Sequence, residues 1–233
     1  MRNKYIIKWW IERFMKIKEI KDNYYFETLS SEHDLRDFDC GDDELNEFLK
    51  KDALIQQKAR LNVTKLIMCD GKIIGFTSLL TDTIMIKKIR DESIKTEIKE
   101  KLKIDKESKS ISAVKIGRLA LDKRYTGKGL GSHILRNILI NLNNTSKNTI
   151  GFRFIIVEGY AKAFNFYVVK NGFEYLKNDD EKIKKIDFII PRDPTKKFFL
   201  YFDLERYFNQ WKELERNKTL FSHSFLQFFF FFS

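Results

Sequence analysis

Cysteine is scarce in this chain of 233 residues: Cys40 and Cys69 are the only two. Two thiols are too few for a disulfide-stapled secreted domain, so a reducing compartment, the cytoplasm, is expected. Histidine is nearly as rare, with three copies. No Cys/His cluster has metal-ligand spacing, so no metal is expected. Two prolines and ten glycines exclude a collagen-like chain, and 15 % aromatic residues in patterned segments exclude wholesale disorder. A membrane partner is not expected either. A spanning helix needs roughly 20 apolar residues, and Lys8 interrupts the N-terminal stretch while Ser222, His223, Ser224 and Gln227 interrupt the C-terminal one.

Positive charge is in excess: 44 Lys and Arg against 33 Asp and Glu, a formal net charge of +11. Such a balance points to an anionic partner, whether nucleic acid, nucleotide cofactor or membrane surface. The charge is uneven. Residues 1–20 contribute +4 and residues 205–233 contribute +1, which leaves +6 for the stretch between them. That organisation suggests a basic amphipathic extension at 1–20, a domain at 21–205, and a charged segment with a Phe-rich tail at 206–233. In the extension Ile7, Trp10, Ile11 and Phe14 share one helical face. It is read as packing on the domain or staying loose, with an interfacial membrane helix as the alternative. The five consecutive Phe at 228–232 have no polarity of either period and carry no functional assignment.

The middle alternates between strand and helix patterns. A strand is expected at 24–29, and a helix within 38–49 capped by Asp42, with Leu45, Phe48 and Leu49 on its buried stripe. Two β-rich runs in 63–81 flank Asp70-Gly71, the signature of a tight hairpin turn. The Lys- and Glu-rich stretch 86–110 reads as a thin, solvated helical insertion. A buried strand at 113–121 is followed by a glycine-rich turn and an amphipathic helix from Gly131 to Leu142. A second buried strand covers 152–158, then a helix at 160–170 ends at Asn171-Gly172, the left-handed cap position. Two short strands close the pattern at 173–176 and 197–204. Strand–turn–helix–strand with two buried runs demands a right-handed parallel crossover, hence an α/β domain with a mixed sheet.

The turn Arg124-Tyr125-Thr126-Gly127-Lys128-Gly129-Leu130-Gly131 joins the first buried strand to its helix. Glycines at alternate positions admit an anion close to the backbone, and amides at a helix N-terminus point toward it. It is not a P-loop, because no Gly-Lys-Ser/Thr ends it at the required spacing. It is not a dinucleotide fingerprint either, because a polar loop at 145–149 stands where the ribose-binding acid would be. A tight connection with no ligand is the plain alternative.

Residues 114–131 and 157–173 together resemble the GNAT superfamily of N-acetyltransferases. Arg124, Gly127 and Gly129 match its Arg/Gln-x-x-Gly-x-Gly/Ala motif, and Ala161, Ala163, Phe166, Tyr167, Gly172 and Phe173 match its later signature. The resemblance spans roughly residues 24–204. Phe38-Asp39-Cys40-Gly41 and Gly117-Arg118-Leu119-Ala120 are most similar to the branch that contains bacterial tRNA-acetylating toxins.

The resemblance implies a splayed mixed sheet with flanking helices, and acetyl-CoA as acetyl donor. Amides from Gly127 through Lys128, Gly129, Leu130 and Gly131 to Ser132 would hold the pyrophosphate, with Arg124 starting the turn. Leu119, Ala120 and Leu121 would pair with the pantetheine arm, and one of their amides would stabilise the oxyanion. The acceptor amine would attack directly, and Tyr167 would protonate the leaving thiolate, although a core aromatic is the competing role. Its spacing departs from the pattern: Tyr167 lies five residues before Gly172 rather than four. Either a one-residue helical bulge absorbs the difference, or Val168 takes the catalytic slot. No base announces itself. Glu158 could work through water or merely solvate a strand end, while His33 and His133 read as ordinary surface or packing residues. The acceptor is expected to be an aminoacyl-tRNA, a protein amine or a small amine, with a non-catalytic acyl-CoA-binding module as the other class. Candidate protein partners are a second copy of the chain and, in a toxin-like setting, a small DNA-binding antitoxin.

Overall fold

The computed structural model describes residues 17–103 and 109–209. The expected amphipathic face at 1–14 and the Phe tail therefore lie outside the described residues. The chain divides into two units, Met1–Phe202 and Asp203–Ser233. Of the second, residues 204–209 are helical.

The first unit opens with helix α1 (residues 17–23), which buries Ile17 and Ile20. Strand β1 (Tyr25–Thr28) follows. Helix α2 (Asp43–Glu47) passes through a π-helical turn, Phe48–Asp52, into α3 (Ala53–Lys58). Asp42 caps α2 by accepting from the Leu45 amide at 3.2 Å, as its sequence position predicts. Strands β2 (Val63–Cys69) and β3 (Lys72–Met85) form the hairpin read from Asp70-Gly71. Both turn residues have positive φ, +50° and +68°, the demand that selects Asp-Gly in two-residue hairpin turns.

Then come α4 (Glu92–Leu102), β4 (Ser110–Leu121), α5 (Leu130–Asn148) and β5 (Phe154–Tyr160). The last stretch holds β6 (Glu174–Tyr175), the short helices α6 (Asp180–Ile183) and α7 (Ile186–Arg192), and β7 (Lys197–Asp203). The seven strands form one mixed sheet in the order β1-β2-β3-β4-β5-β7-β6. β1 to β4 pair antiparallel, and β4 runs parallel to β5 with α5 as the crossover.

Consecutive residues of β2, Leu66, Ile67 and Met68, are all buried, so both faces of the sheet are covered. On one face Leu66, Met68, Phe76 and Ala120 form a cluster with Phe38, Phe48, Leu49 and Ala53, which lie in the loop before α2 and in its continuation. The stripe of α5 read from sequence, Ile134, Leu135, Ile138, Leu139 and Leu142, is buried throughout.

The stretch 86–103 corrects the reading of a solvated insertion. Ile86, Ile89, Ile94 and Ile98 are buried with Ile84, Ala113, Phe154, Ile156 and Tyr201 in a second core cluster. Lys95 is buried beside the apolar seam and paired with Glu92 at 2.8 Å, while Glu92, Glu100 and Lys101 are exposed, and the thin seam is wide enough to dock α4 on the sheet. Residues 104–108 lie outside the described residues.

Candidate active site

The sheet splits where the glycine turn begins to matter. β4 and β5 pair only from Ala113 opposite Phe154 to Ile116 opposite Val157. Beyond that point β4 runs on to Leu121 and β5 to Tyr160 without pairing each other. The cause is local. In the β3–β4 ladder Ser78 faces Arg118 while Leu79 faces Ile116, so Gly117 is an extra, bulged residue. A bulge bends its strand and increases the local twist. A Cβ on Gly117 would stand 2.9 Å from the end of the Leu80 side chain, which would have to shift to admit it.

Two cavities open at the split. The first, about 350 Å³, is walled by the free edge of β4 (Leu119, Ala120, Leu121), the turn (Thr126, Gly127, Gly129) and the first turns of α5 (Gly131, Ser132, Ile134). Ala163, Phe166, Tyr167 and Lys170 close it. Gly127 and Gly129 have φ of +85° and +72°, and Gly129 is the N-cap of α5. The opening amides of a helix have no partner within it and carry its positive dipole end, so they suit a phosphate. Gly131 lets Phe166 approach, since a Cβ there would stand 3.3 Å from the ring.

The second cavity, about 160 Å³, lies on the other side of the split. Its wall combines Asp42, Glu44 and Leu45 of the α2 start, residues 115–119 of β4, residues 157–160 of β5, and Lys162, Ala163, Tyr167 and Lys197. Leu119, Ala163 and Tyr167 line both cavities. A larger cavity, about 600 Å³, lies apart from the split, beside the 32–38 loop and the β2–β3 turn.

Tyr167 sits in a π-helical turn, Asn165–Val169, which follows the 3₁₀ turn Ala161–Ala163. The uniform helix expected at 160–170 is therefore two tight and wide turns in succession. Gly172 at φ +72° ends the segment, with its amide bonded to the Val168 carbonyl and the Phe173 amide to the Tyr167 carbonyl. The wide turn takes up the extra residue, and Val168 lines neither cavity. The Tyr167 ring is edge-on to Phe166 and Phe173 at 4.9 and 5.3 Å between centroids. Its hydroxyl has no hydrogen-bond partner among the described residues. Burial pushes the phenol well above the ordinary tyrosine pKa, so it stays protonated at neutral pH.

Seven of the ten cofactor residues expected from sequence, Leu119, Ala120, Leu121, Gly127, Gly129, Gly131 and Ser132, line the first cavity. Three side chains do not. Leu130 is buried in the core, so only its backbone faces the turn. The Lys128 side chain is not in the wall. The Arg124 guanidinium is held by Asp122, with Nε and Nη2 each 2.7 Å from a carboxylate oxygen, and it lines the separate large cavity.

The second cavity holds groups that the sequence reading missed. Its carboxylates are mostly committed. Asp42 pairs with Lys162 at 2.6 Å. Glu158 pairs with Lys115 at 3.0 Å and with Lys197 at 3.7 Å, and these cations pull its pKa down against the opposing effect of burial. A depressed pKa makes Glu158 a weak base. Glu44 accepts from the Tyr160 hydroxyl, which pushes that phenol up to about 12. Lys115 and Glu158, charged residues inside runs read as buried strand, were the legible signal of a cavity there. His33 bonds to Ser30 and lies 3.3 Å from Glu27, and His133 packs edge-on to Tyr24; neither lines the two cavities. No cluster of His, Cys, Asp or Glu among the described residues could hold a metal.

The sheet order, the split at β4 and β5, and the glycine turn on α5 decide the fold. The chain has the GNAT fold. No family model matches it. A tRNA-acetylating toxin of Mycobacterium tuberculosis is 28 % identical over 145 residues, covering 60 % of this chain and 78 % of the toxin. The structure of AtaT complexed with acetyl-methionyl-tRNAfMet superimposes with a TM-score of 0.62 at 21 % identity, over 81 % of this chain and 99 % of AtaT. A tyrosine-to-phenylalanine mutant of AtaT bound to acetyl-CoA and the C-terminus of the antitoxin AtaR gives a TM-score of 0.54 at 19 % identity, over 79 % and 95 % of the two chains. At such identities the structures show the GNAT fold, and no helix among the described residues is long and apolar enough to cross a membrane.

Proposed function

We propose that this protein is an acetyl-CoA-dependent N-acetyltransferase whose acceptor is the α-amine of an aminoacyl-tRNA. The observation that carries the reading is Tyr167, a buried phenol shared by the glycine-turn cavity and the charged cavity at the β4–β5 split. The similarity to a tRNA-acetylating toxin supports the acceptor class.

The first cavity fits acetyl-CoA. Amides of residues 127–132 would hold its pyrophosphate, and the unpaired edge of Leu119–Leu121 would hydrogen-bond its pantetheine arm. When bound, acetyl-CoA supplies an activated acetyl thioester. A β4 amide facing the split donates to the carbonyl oxygen as negative charge develops there. The second cavity admits the amine, and Asp42, Glu44 and Glu158 are the carboxylates on its wall. As the amine nitrogen bonds to the acetyl carbon and the carbon–sulfur bond breaks, Tyr167, with its proton held by burial, donates that proton to the departing sulfur, and the proton lost by the nitrogen returns to the phenolate through water. The chain works in the cytoplasm on this reading, and a small DNA-binding antitoxin is the partner it implies.

The test is incubation of the full chain with acetyl-CoA and a total cellular pool of charged tRNA and free amines, read by mass spectrometry. Acetylated aminoacyl-adenosine released by ribonuclease is the expected product. Acetylation confined to proteins or small amines would move the acceptor to those classes. Binding of CoA without turnover of any amine would overturn the enzyme reading in favour of a non-catalytic acyl-CoA-binding module.

A further inference from the structure

The cations of the second cavity are not alike. Lys162 and Lys115 each have a carboxylate at 3.0 Å or closer, and Lys197 shares Glu158 with Lys115. Arg118 has no such partner. Its Nη1 donates to the carbonyl of neighbouring Gly117 at 2.8 Å, and its Nη2 lies 3.5 Å from Glu44. The Nε is buried and makes no hydrogen bond. The Phe48 ring lies 5.0 Å beneath the guanidinium carbon, and the side chain is 37 % exposed. A guanidinium presents its Nε and Nη2 donors as a two-pronged edge that fits carboxylate or phosphate oxygens. Here Nε has no exposed surface for an anion to meet, so Nη2, 3.5 Å from Glu44, is the donor left for one.

The fold also explains where the group stands. The Gly117 bulge precedes Arg118, and Leu119, which follows, lines both cavities. Arg118 is therefore fixed one residue from the reacting edge of β4, on the acceptor side. Glu44 would be the natural neutraliser, but its other oxygen is bonded to Tyr160 and its approach to Arg118 falls short of a hydrogen bond.

Resting on the reading above, we propose that Arg118 is an acceptor-positioning residue that binds the phosphodiester next to the aminoacylated ribose. In a charged tRNA the amine is carried on the terminal nucleotide, whose 5′ side bears that phosphate. A charge-assisted contact from Nη2 there would hold the amine in line with the β4 edge.

The experiment compares two acceptors of the full chain. One is the charged tRNA pool, and the other is the aminoacyl-adenosine that pancreatic ribonuclease releases from it, with the same amine and no phosphate. Charge-assisted hydrogen bonds contribute about 1.5–3 kcal/mol, and each 1.4 kcal/mol is tenfold. For Arg118→Gln, the loss of kcat/KM on charged tRNA should exceed the loss on aminoacyl-adenosine by about tenfold or more. It should reside mainly in KM. The logarithmic salt slope for tRNA should also fall by about 0.7, the value for one single-strand phosphate contact. Arg118→Lys keeps the charge without the Nη2 donor, so it should retain the salt slope and lose part of the ratio. If Arg118→Gln does not fold, the ratio measured with Arg118→Lys carries the test. Equal losses on both acceptors, or a salt slope unchanged in Arg118→Gln, would overturn the proposal. A wild-type chain that acetylates neither acceptor would instead overturn the function on which it rests.

Discussion

Replacing Tyr167 with Phe should move stability and activity in opposite directions, and the structure sets both magnitudes. The ring fills space between Phe166, Phe173 and the Gly159 backbone, and Phe keeps all of that contact. The hydroxyl has no hydrogen-bond partner among the described residues, so its removal breaks no bond there and takes a polar atom out of a desolvated site. Stability should hold or rise, by about 0–1 kcal/mol. Activity should not hold. If the phenol protonates the leaving sulfur, its loss removes a general-acid contribution of about 10²–10⁴ in rate, or roughly 2.7–5.4 kcal/mol in the barrier. Tyr167→Ala makes the contrast, because it deletes the ring and should cost about 3–5 kcal/mol of stability. Chemical denaturation and single-turnover acetyl transfer on the same preparations give the two readouts. A Tyr167→Phe enzyme within twofold of wild type would refute the acid assignment, whatever its stability. A loss of more than about 1 kcal/mol on removing the hydroxyl would refute the claim that the hydroxyl is unpartnered.

Two further outcomes test the frame around the site. Ile98→Ala should destabilise the chain by about 2–4 kcal/mol in denaturant titration, because Ile98 is buried in the cluster with Phe154 and Tyr201; a change below about 0.5 kcal/mol would return 86–103 to a solvated insertion. Asp122 is 1 % exposed and accepts from the Asp39 and Arg124 amides and from the Arg124 guanidinium, which together hold its pKa down against burial. Since its folded pKa is depressed, its stabilisation is present above the unfolded value of about 3.9 and is lost as pH falls through the folded pKa. Asp122→Asn should therefore lower Tm at pH 7 and narrow the gap to wild type in acid; a gap that stays constant from pH 7 to pH 3 would rule this carboxylate out as the cause.

The sequence was most legible where local chemistry decides the outcome. Asp70-Gly71 requires positive φ at both turn positions, and Asp42 has only its own first helical turn to cap. The glycines at 127 and 129 belong to the same class, because an L side chain would be strained at their φ. What escaped depends on contacts between distant segments. The second cavity joins residues 42–45, 115–119, 157–162 and 197, and no local pattern relates them. Isoleucines set sparsely among lysines and glutamates in 86–102 look solvated until Phe154 and Tyr201 are placed beneath them. Arg124 shows a third limit: the motif gives its place in the chain, but the direction of its fork is set by Asp122 two residues earlier, which turns it to the other cavity.

The departure in spacing before Gly172 is met by a π-helical turn, and a second such turn stands at 48–52. An extra residue in an α-helix rotates everything beyond it by about 100°, which would carry either Tyr167 or the Gly172 cap away from its place. A π-turn confines the insertion to one wide loop of backbone and leaves both ends in phase. Around Tyr167 this keeps the phenol between the two cavities while Gly172 still reaches the left-handed cap. The Phe48–Asp52 turn places Phe48 against Phe76 and under Arg118, while Asp42 and Glu44 at the start of α2 lie on the cavity wall. Wide turns hold a poorer hydrogen-bond ladder than α-helix, and here both stand beside the split in the sheet. Deleting Val169, which is exposed and lines neither cavity, would convert the wide turn to regular helix at little cost in burial. The deletion also restores the four-residue spacing between Tyr167 and the glycine, so the phase argument predicts a folded chain in which Tyr167 keeps its place and acetyl transfer is retained; single-turnover transfer that falls as far as in Tyr167→Phe would refute it.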